Sequence, residues 1–426
     1  MDKIELFEKC LEYRVSTDTR KIEKGDLFLA LKGDNFDGNQ YCETAIEQGA
    51  AICITDNLNI ANSTNIFFVP DGLQFLQELA NYKRQRLHIP IIGITGSNGK
   101  TTNKELIHAV LSTSFNTSAT KGNLNNHIGV PLTLLEIPSD CEIAIVEMGA
   151  NQPNDIIELC EIAEPNYGLI TNIGAAHLEG FGSLEGVLKT KKQLFDFLGK
   201  NKSNTIIYNA DDSILSAIIP DVNQFGFGQN QDLKSTSVKA TPFLQFSYSY
   251  KDYSSPILQT NLVGDYNINN FLAAISFGIL FKIPFEKINQ ALKDYKPSNN
   301  RSQLTITERN ELIVDCYNAN PTSMTAALKN MSQITGKEKI CILGDMLEMG
   351  AESSKEHQKI IELANSYNLQ TYFVGKEFKK ELPNSSNVYE NTHELIENLN
   401  LSEIKNKIIL LKGSRGIQLE KLIEYL

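Results

Sequence analysis

The 426-residue sequence contains no run of eighteen apolar residues, so no segment of it is expected to span a membrane. Its opening stretch, MDKIELFEKC, lacks the basic, apolar, small-residue order of a secretory leader. No C-x-x-C pair occurs among its seven cysteines, Cys10, Cys42, Cys53, Cys141, Cys160, Cys316 and Cys341, which are scattered and odd in number. That spacing excludes a disulfide framework or a zinc ribbon, and the cysteines read as reduced core residues in a cytoplasm. Six histidines without an H-E-x-x-H argue against a zinc hydrolase. Positive charge is in deficit: a net charge of −11 argues against nucleic acid or an anionic membrane as the main partner. Low-complexity tracts and internal repeats are also missing. What remains is a globular composition, 21% charged and 41% hydrophobic, in a chain too long for one core.

The pattern along the chain predicts an α/β protein of three domains. Residues 1–84 read as a small mixed α/β unit, with strands at GDLFLAL, AAICIT and NIFFVP and a helix over NQYCETAIEQGA. A helix over DGLQFLQELANYKRQR leads into a second unit, 85–297, in which HIPIIGIT, EIAIVEMG, YGLITNIG and NTIIYNADD alternate with helical stretches. Such alternation implies a mostly parallel sheet covered by helices on both faces. Between Gly226 and Gly264 the period drops to two, as in FLQFSYSY, which predicts an antiparallel appendage, followed by helices at NINNFLAAISFGILF and FEKINQALKDY. The polar stretch KPSNNRSQ marks the next boundary. Beyond it, in 298–426, ELIVDCY, KICILGD, QTYFVG and KIILLKG each precede a helical pattern, a second, Rossmann-like doubly wound unit.

One loop stands out in the middle unit. GITGSNGKTT, Gly93 to Thr102, ends like a phosphate-binding loop, but Ile94 stands where the G-x-x-x-x-G-K-[ST] template needs its first glycine. Its context still favours a nucleotide site of the P-loop type. A buried strand precedes it and a helix over TTNKELIHAVL follows, so backbone N–H groups and a helix N-terminus face one point. Lys100 adds a charge for phosphates, and the Thr101 hydroxyl is placed to ligate Mg²⁺.

Other candidates are weaker taken singly. Glu147 ends the strand EIAIVE and reads as a metal ligand or a solvated rim residue. YGLITNIGAAH is expected to carry His177 at the carboxyl end of a strand, as a ligand or as a structural histidine. In SLEGVLKTKKQLFDFL, Leu184, Val187, Leu188, Leu194, Phe195 and Leu198 form one apolar stripe, and Lys191 interrupts its middle. An ammonium there must be paired, modified or snorkelled to the rim, whereas Lys189 and Lys192 lie off the stripe as solvated charges. Past the polar boundary, IVDCYNANP places Asp315 at a strand end and Pro321 at a helix start, and LLKGSRG sets Lys412, Ser414 and Arg415 around a turn before a last helix. Those asparagine-rich turns suit recognition of an amide, a carboxylate or a base edge, or are turn chemistry alone.

Seven ordered stretches, GITGSNGKTT, NLNNHIGVPLTLL, VEMGA, AHLEGFGSLEGVLKTK, YNANPTSM, LGDMLEMG and LLKGSRG, together resemble the Mur ligases of peptidoglycan synthesis. The likeness implies an ATP-dependent amide ligase, and most of all the member that adds D-alanyl-D-alanine to UDP-N-acetylmuramoyl-tripeptide. GSNGKT meets that family's own G-x-x-G-K-T loop, so Gly96, Ser97, Asn98, Gly99, Lys100, Thr101 and Thr102 would hold ATP, with Asn267 and Asn270 near the nucleotide. By the same likeness Thr101, Glu147, His177 and Lys191 would be the Mg²⁺ ligands, Lys191 as a carbamate. Arg301 and Asp315 would be swung onto ATP from the third domain. STDTRKIEKGDLFLALKG resembles a uridine-nucleotide domain, so Ser16, Thr19 and Arg20 would lie on the substrate side. Asn123, Asn125, Asn126, Asn318, Asn320, Lys412, Ser414 and Arg415 would join them there. Tyr266, where a histidine is common, and Cys316, where Asp or Ser is usual, depart from the pattern. The alternatives are another Mur ligase, a folylpolyglutamate synthase (which would carry D-G-A-H-N-P in place of DCYNANP), or a nucleotide-binding protein without ligase activity. The resemblance further implies a cytoplasmic monomer.

Overall fold

The structure is a computed structural model that describes residues 2–426 apart from 34, 63, 241, 298 and 299. Three large sheets, beside the two-stranded pair Lys32–Gly33 and Phe36–Asp37, organise the described residues. The first is parallel, with strands Val15–Ser16, Leu27–Leu29, Ile52–Thr55 and Ile66–Phe68 side by side in that order. The helix Gly72–Arg86 starts at Asp71, whose carboxylate accepts the Gln74 N–H at 2.8 Å, and carries Lys83, Arg84 and Arg86 in its last turn, where they suit the dipole. Phe75, Leu76 and Leu79 seal the first sheet while Ala80 reaches the next core. The expected division at 84/85 therefore falls inside a helix that serves both units.

The second sheet has ten strands. Ile91–Thr95, buried at all five positions, lies between the parallel strands Ile143–Glu147 and Tyr167–Ile170. Thr205–Asn209 and Asn223–Phe227 extend it in parallel, and Leu233–Ala240, Phe243–Tyr250 and Leu258–Val263 form the antiparallel appendage. Helices Lys100–Leu111, Ile268–Leu280 and Phe285–Asp294 fill one face. Helices Asp155–Ala163 and Leu184–Gly199 fill the other. The third sheet orders Gln303–Ile306, Glu311–Asp315, Lys407–Lys412, Glu338–Gly344, Gln370–Val374 and Val388–Tyr389, parallel except for its first pair. This is the α/β architecture expected from the sequence. The boundary expected at 297/298 lies outside the described residues.

Four local readings differ. The strand expected to run to His177 stops at Ile170, and His177 caps the short helix Leu178–Phe181 after the six residues 171–176. Threonine, asparagine and glycine in TNIG end the ladder, and the freed backbone instead packs on the phosphate loop: Asn172 O accepts the Ser97 N–H at 3.0 Å. The expected helix over 39–50 is regular only at Cys42–Glu47, after a 3₁₀ turn at Gly38–Tyr41. The expected last helix is two 3₁₀ segments, Arg415–Ile417 and Leu419–Glu424. Leu184, the first residue of the apolar stripe, is 47% exposed and Leu188 is half-buried, while Val187, Leu194, Phe195 and Leu198 are buried.

Candidate active site

The loop between Thr95 and Lys100 works because two glycines take conformations closed to other residues. Gly96 has φ +144°, and a Cβ there would overlap the Thr171 hydroxyl; Gly99 has φ +78° and caps the helix Lys100–Leu111. Gly96→Ala should therefore cost about 3 kcal/mol of stability, from backbone strain plus the displaced threonine. A urea midpoint within error of the parent chain would refute that. Three contacts anchor the loop from below. Asn98 N–H donates to Asn172 Oδ1 at 3.1 Å, Ser97 Oγ donates to Gly174 O at 2.9 Å, and Thr171 Oγ1 donates to Asn98 O at 2.5 Å.

Above this loop lies a cavity of about 350 Å³ shared between the second and third units. Lys100 is half-buried in its wall, its Nζ donating to Gly96 O at 2.7 Å. Burial pulls this ammonium below the ordinary lysine range; Glu147 opposes that shift and Arg301 adds to it. Glu147 is 2% exposed and fully engaged: one oxygen accepts the Thr101 hydroxyl at 2.9 Å, the other the Asn125 amide at 2.8 Å. Asn270 reaches Asn103 at 2.7 Å and Asn267 at 2.8 Å, forming a polar wall against Gly99. From the third unit come Arg301, Asp315 and Lys412, with Lys412 donating to Asp315 at 2.5 Å. Asn320 caps the helix Pro321–Gln333 and donates to Asn98 Oδ1 at 2.7 Å, tying that unit to the loop.

This arrangement can hold a nucleoside triphosphate beside a second unit's arginine. It can also hold a small cation. Among the described residues no three His, Cys, Asp or Glu side chains stand together as a metal cage. The Thr101 hydroxyl and Glu147 carboxylate are nevertheless adjacent oxygen donors, and Mg²⁺ takes one or two protein oxygens with phosphates and water completing its shell. The residues present therefore fit Mg²⁺.

Comparison with known proteins decides the family. The Mur ligase middle-domain model matches residues 94–278, the Mur ligase glutamate ligase domain model 300–415, and the Mur ligase family catalytic-domain model 13–84. The chain belongs to the Mur ligase family. Among curated relatives, the UDP-N-acetylmuramoyl-tripeptide–D-alanyl-D-alanine ligase of Bacillus subtilis is 35% identical, covering 98% of this chain and 94% of the relative. Its Escherichia coli namesake is also 35% identical, over 97% and 93%. Of solved structures, MurF from Acinetobacter baumannii superposes with a TM-score of 0.89 at 28% identity, covering 99% and 97%. MurF ligase from Thermotoga maritima in complex with ADP gives 0.86 at 25%, over 98% and 97%.

Within this Mur ligase, the pocket gathers Ser97 to Thr102, Asn125, Glu147, His177, Asn267, Asn270, Arg301, Asp315, Asn318 and Lys412. Gly96, Asn123, Asn126, Asn320, Ser414 and Arg415 are not part of its lining. Asn126 instead caps the backbone of Gly129 at 2.9 Å, and Ser414 Oγ accepts the Leu347 N–H at 3.0 Å. Ser16, Thr19 and Arg20 stand at the carboxyl end of the first sheet, away from the pocket, with Arg20 exposed and paired to Asp18 at 2.8 Å. Lys191 lies outside the lining, 1% exposed, with no hydrogen-bond partner for Nζ among the described residues.

Two residues given no role from sequence reach this site. Tyr317 lies under the Arg301 guanidinium at 3.7 Å and near Arg415 at 5.7 Å, a stacking contact that holds a cation without neutralising it. Glu348 brings its carboxylate to His177 Nδ1 from the third unit. The two groups are in close contact, although Nδ1 makes no aligned hydrogen bond among the described residues. The contact holds the Glu348 carboxyl below the usual carboxylate range. Glu348 lies in the LGDMLEMG stretch, but no local pattern shows that this loop meets a histidine of another unit.

Proposed function

We propose that this chain is the ATP-dependent ligase that joins D-alanyl-D-alanine to UDP-N-acetylmuramoyl-tripeptide during cytoplasmic synthesis of peptidoglycan precursors. One observation carries this reading. The phosphate loop of the second unit shares a single pocket with Arg301, Asp315 and Lys412 of the third. A nucleotide switch needs no such second wall, whereas a ligase must activate one substrate and bring another to it. The shared name of the relatives from Bacillus subtilis and Escherichia coli supplies the substrates. Seven free, buried cysteines suit a reducing compartment.

In this mechanism a carboxylate oxygen of the tripeptide attacks the γ-phosphorus of ATP, and the bond to the β-bridging oxygen breaks. Lys100 and Arg301 face the charge that builds on the transferred group. Mg²⁺, which Thr101 and Glu147 would hold with His177 and a carbamate on Lys191, supplies further positive charge to the phosphate oxygens. The amine of D-alanyl-D-alanine then attacks the acyl phosphate carbonyl, loses a proton, and phosphate departs with the C–O bond. The Asn125, Asn318 and Lys412 side chains orient the acceptor and the dipeptide. The first sheet, with Ser16, Thr19 and Arg20 at its edge, carries the uridine nucleotide. No covalent enzyme intermediate is involved.

The test is phosphate release. It should require ATP, the UDP-tripeptide and D-alanyl-D-alanine together; release that ignores the dipeptide would overturn the assignment. Arg301→Ala should lower kcat by about 10²-fold with nucleotide affinity little changed, because the arginine acts on developing charge. A fragment ending near residue 297 should keep some nucleotide binding and make no product, since Arg301 and Asp315 lie beyond that point. Ligation by that fragment would refute a catalytic third unit.

A further inference from the structure

The loop 345–350 of the third unit is rigidly held from behind. Asp345, 2% exposed, accepts the backbone N–H groups of Glu377 and Phe378, both at 2.9 Å. Met346 N–H donates to His357 Nε2 at 3.0 Å and Leu347 N–H to Ser414 Oγ at 3.0 Å. Met346 and Met349 are anchored in the third unit's core. From that fixed base the loop presents Glu348 to the second unit.

The two units meet here through four contacts. The Glu348 carboxylate reaches His177 Nδ1, and Glu348 O accepts the Glu179 N–H at 3.3 Å. Gly350 packs against Glu179, where a Cβ would stand 3.3 Å from the Glu179 Cα. Leu178 packs on the third unit's core. Both residues of this contact are non-glycine residues in the left-handed region, Glu348 at φ +63° and His177 at φ +52°. Strained backbone on both sides of one contact is uncommon, and it persists only where surrounding structure enforces it.

We propose that Glu348 is a positioning residue for His177, supplied by the third unit. A neutral imidazole has one donor and one acceptor nitrogen, and the negative charge of a carboxylate beside Nδ1 favours the tautomer that carries its proton there. Nε2 is then the lone-pair nitrogen offered to the pocket that His177 lines. The ring acquires this orientation only when the third unit is seated, so docking of that unit and readiness of His177 are one event. This inference rests on the reading of His177 as a working residue of the ligase pocket.

The experiment uses the full chain labelled with ¹⁵N-histidine, with the His177 signal assigned by its loss in His177→Gln. The parent chain should show His177 protonated at Nδ1 and free at Nε2. Glu348→Asn removes the carboxylate while suiting the left-handed backbone, so it should fold with a melting temperature close to the parent's. Its His177 signals should move to a mixed tautomer, and its kcat should fall about 10- to 100-fold while KM for ATP stays within about twofold. Should Glu348→Asn fail to fold, Glu348→Gln reads the same quantities, with the same directions and smaller size. An unchanged tautomer, or an unchanged kcat, overturns the proposal. A parent chain that does not ligate at all would instead refute the proposed function, and the nitrogen signals would still decide the pairing.

Discussion

Lys100→Ala is expected to reduce ligation by about 10³-fold while leaving the chain folded, the loss expected when a preorganised charge facing a transferred phosphoryl group is removed. The side chain belongs to none of the apolar clusters, and its hydrogen bond within the protein goes to Gly96 O in its own loop. Alanine is a good residue for the first turn of the helix Lys100–Leu111, so helix propensity does not oppose the change. Removing the ammonium also relieves its repulsion with Arg301. Stability should stay within about 1 kcal/mol of the parent, as for substitutions that touch no core contact. Phosphate release and a urea midpoint, measured on the same preparation, check both halves. Near-parental turnover would show that the loop does not serve the γ-phosphate. Lost turnover with a collapsed midpoint would show that Lys100 is structural.

Much of the scaffold of this pocket is legible in the sequence because its signals are local. The strand Ile91–Thr95 is an unbroken β-branched run, Gly96 and Gly99 mark the turn, and the following helix shows its period within three turns. Asn320 and Pro321 announce a helix start by cap chemistry alone. Legibility fails where tertiary contacts replace ladder bonds. After Ile170 the backbone stops pairing as a strand and serves the phosphate loop, so His177 sits on a separate turn. The edge strand Gln303–Ile306 escapes notice because the polar boundary runs straight into it and its four residues alternate too briefly. Glu348 fails for another reason. Its setting depends on how one unit faces another, and no periodicity within a unit encodes that.

Lys191 is expected to carry a carbamate in the active enzyme, and Lys191→Ala should lower turnover at least about 10²-fold, as loss of a ligand or its close support does. Snorkelling, the ordinary fate of a lysine on an apolar helix face, does not occur: the residue is 1% exposed, on the helix that also buries Val187, Leu194 and Phe195. Among the described residues Nζ has no hydrogen-bond partner, and it lies 5.7 Å from the Phe181 ring centroid, a weak return for a buried cation. Burial, then the Lys100 charge, pull this amine well below the ordinary lysine range, and Asp155 only partly opposes them. Carbamylation resolves the conflict. The neutral amine nitrogen bonds to the carbon of CO₂ and releases a proton, leaving an anion whose field attracts Lys100 where an ammonium would repel it. Lys189 is exposed and Lys192 pairs with Asp196 on the surface, so alanine at either position should stay within about twofold of parental turnover. A short carboxylic acid added to Lys191→Ala should restore part of the activity by occupying the vacated position. The direct observation is a ¹³C carbamate resonance after equilibration with ¹³CO₂, present in the parent chain and absent in Lys191→Ala. An unmodified Lys191 in a fully active enzyme would defeat this account and leave the buried amine to be explained by packing alone.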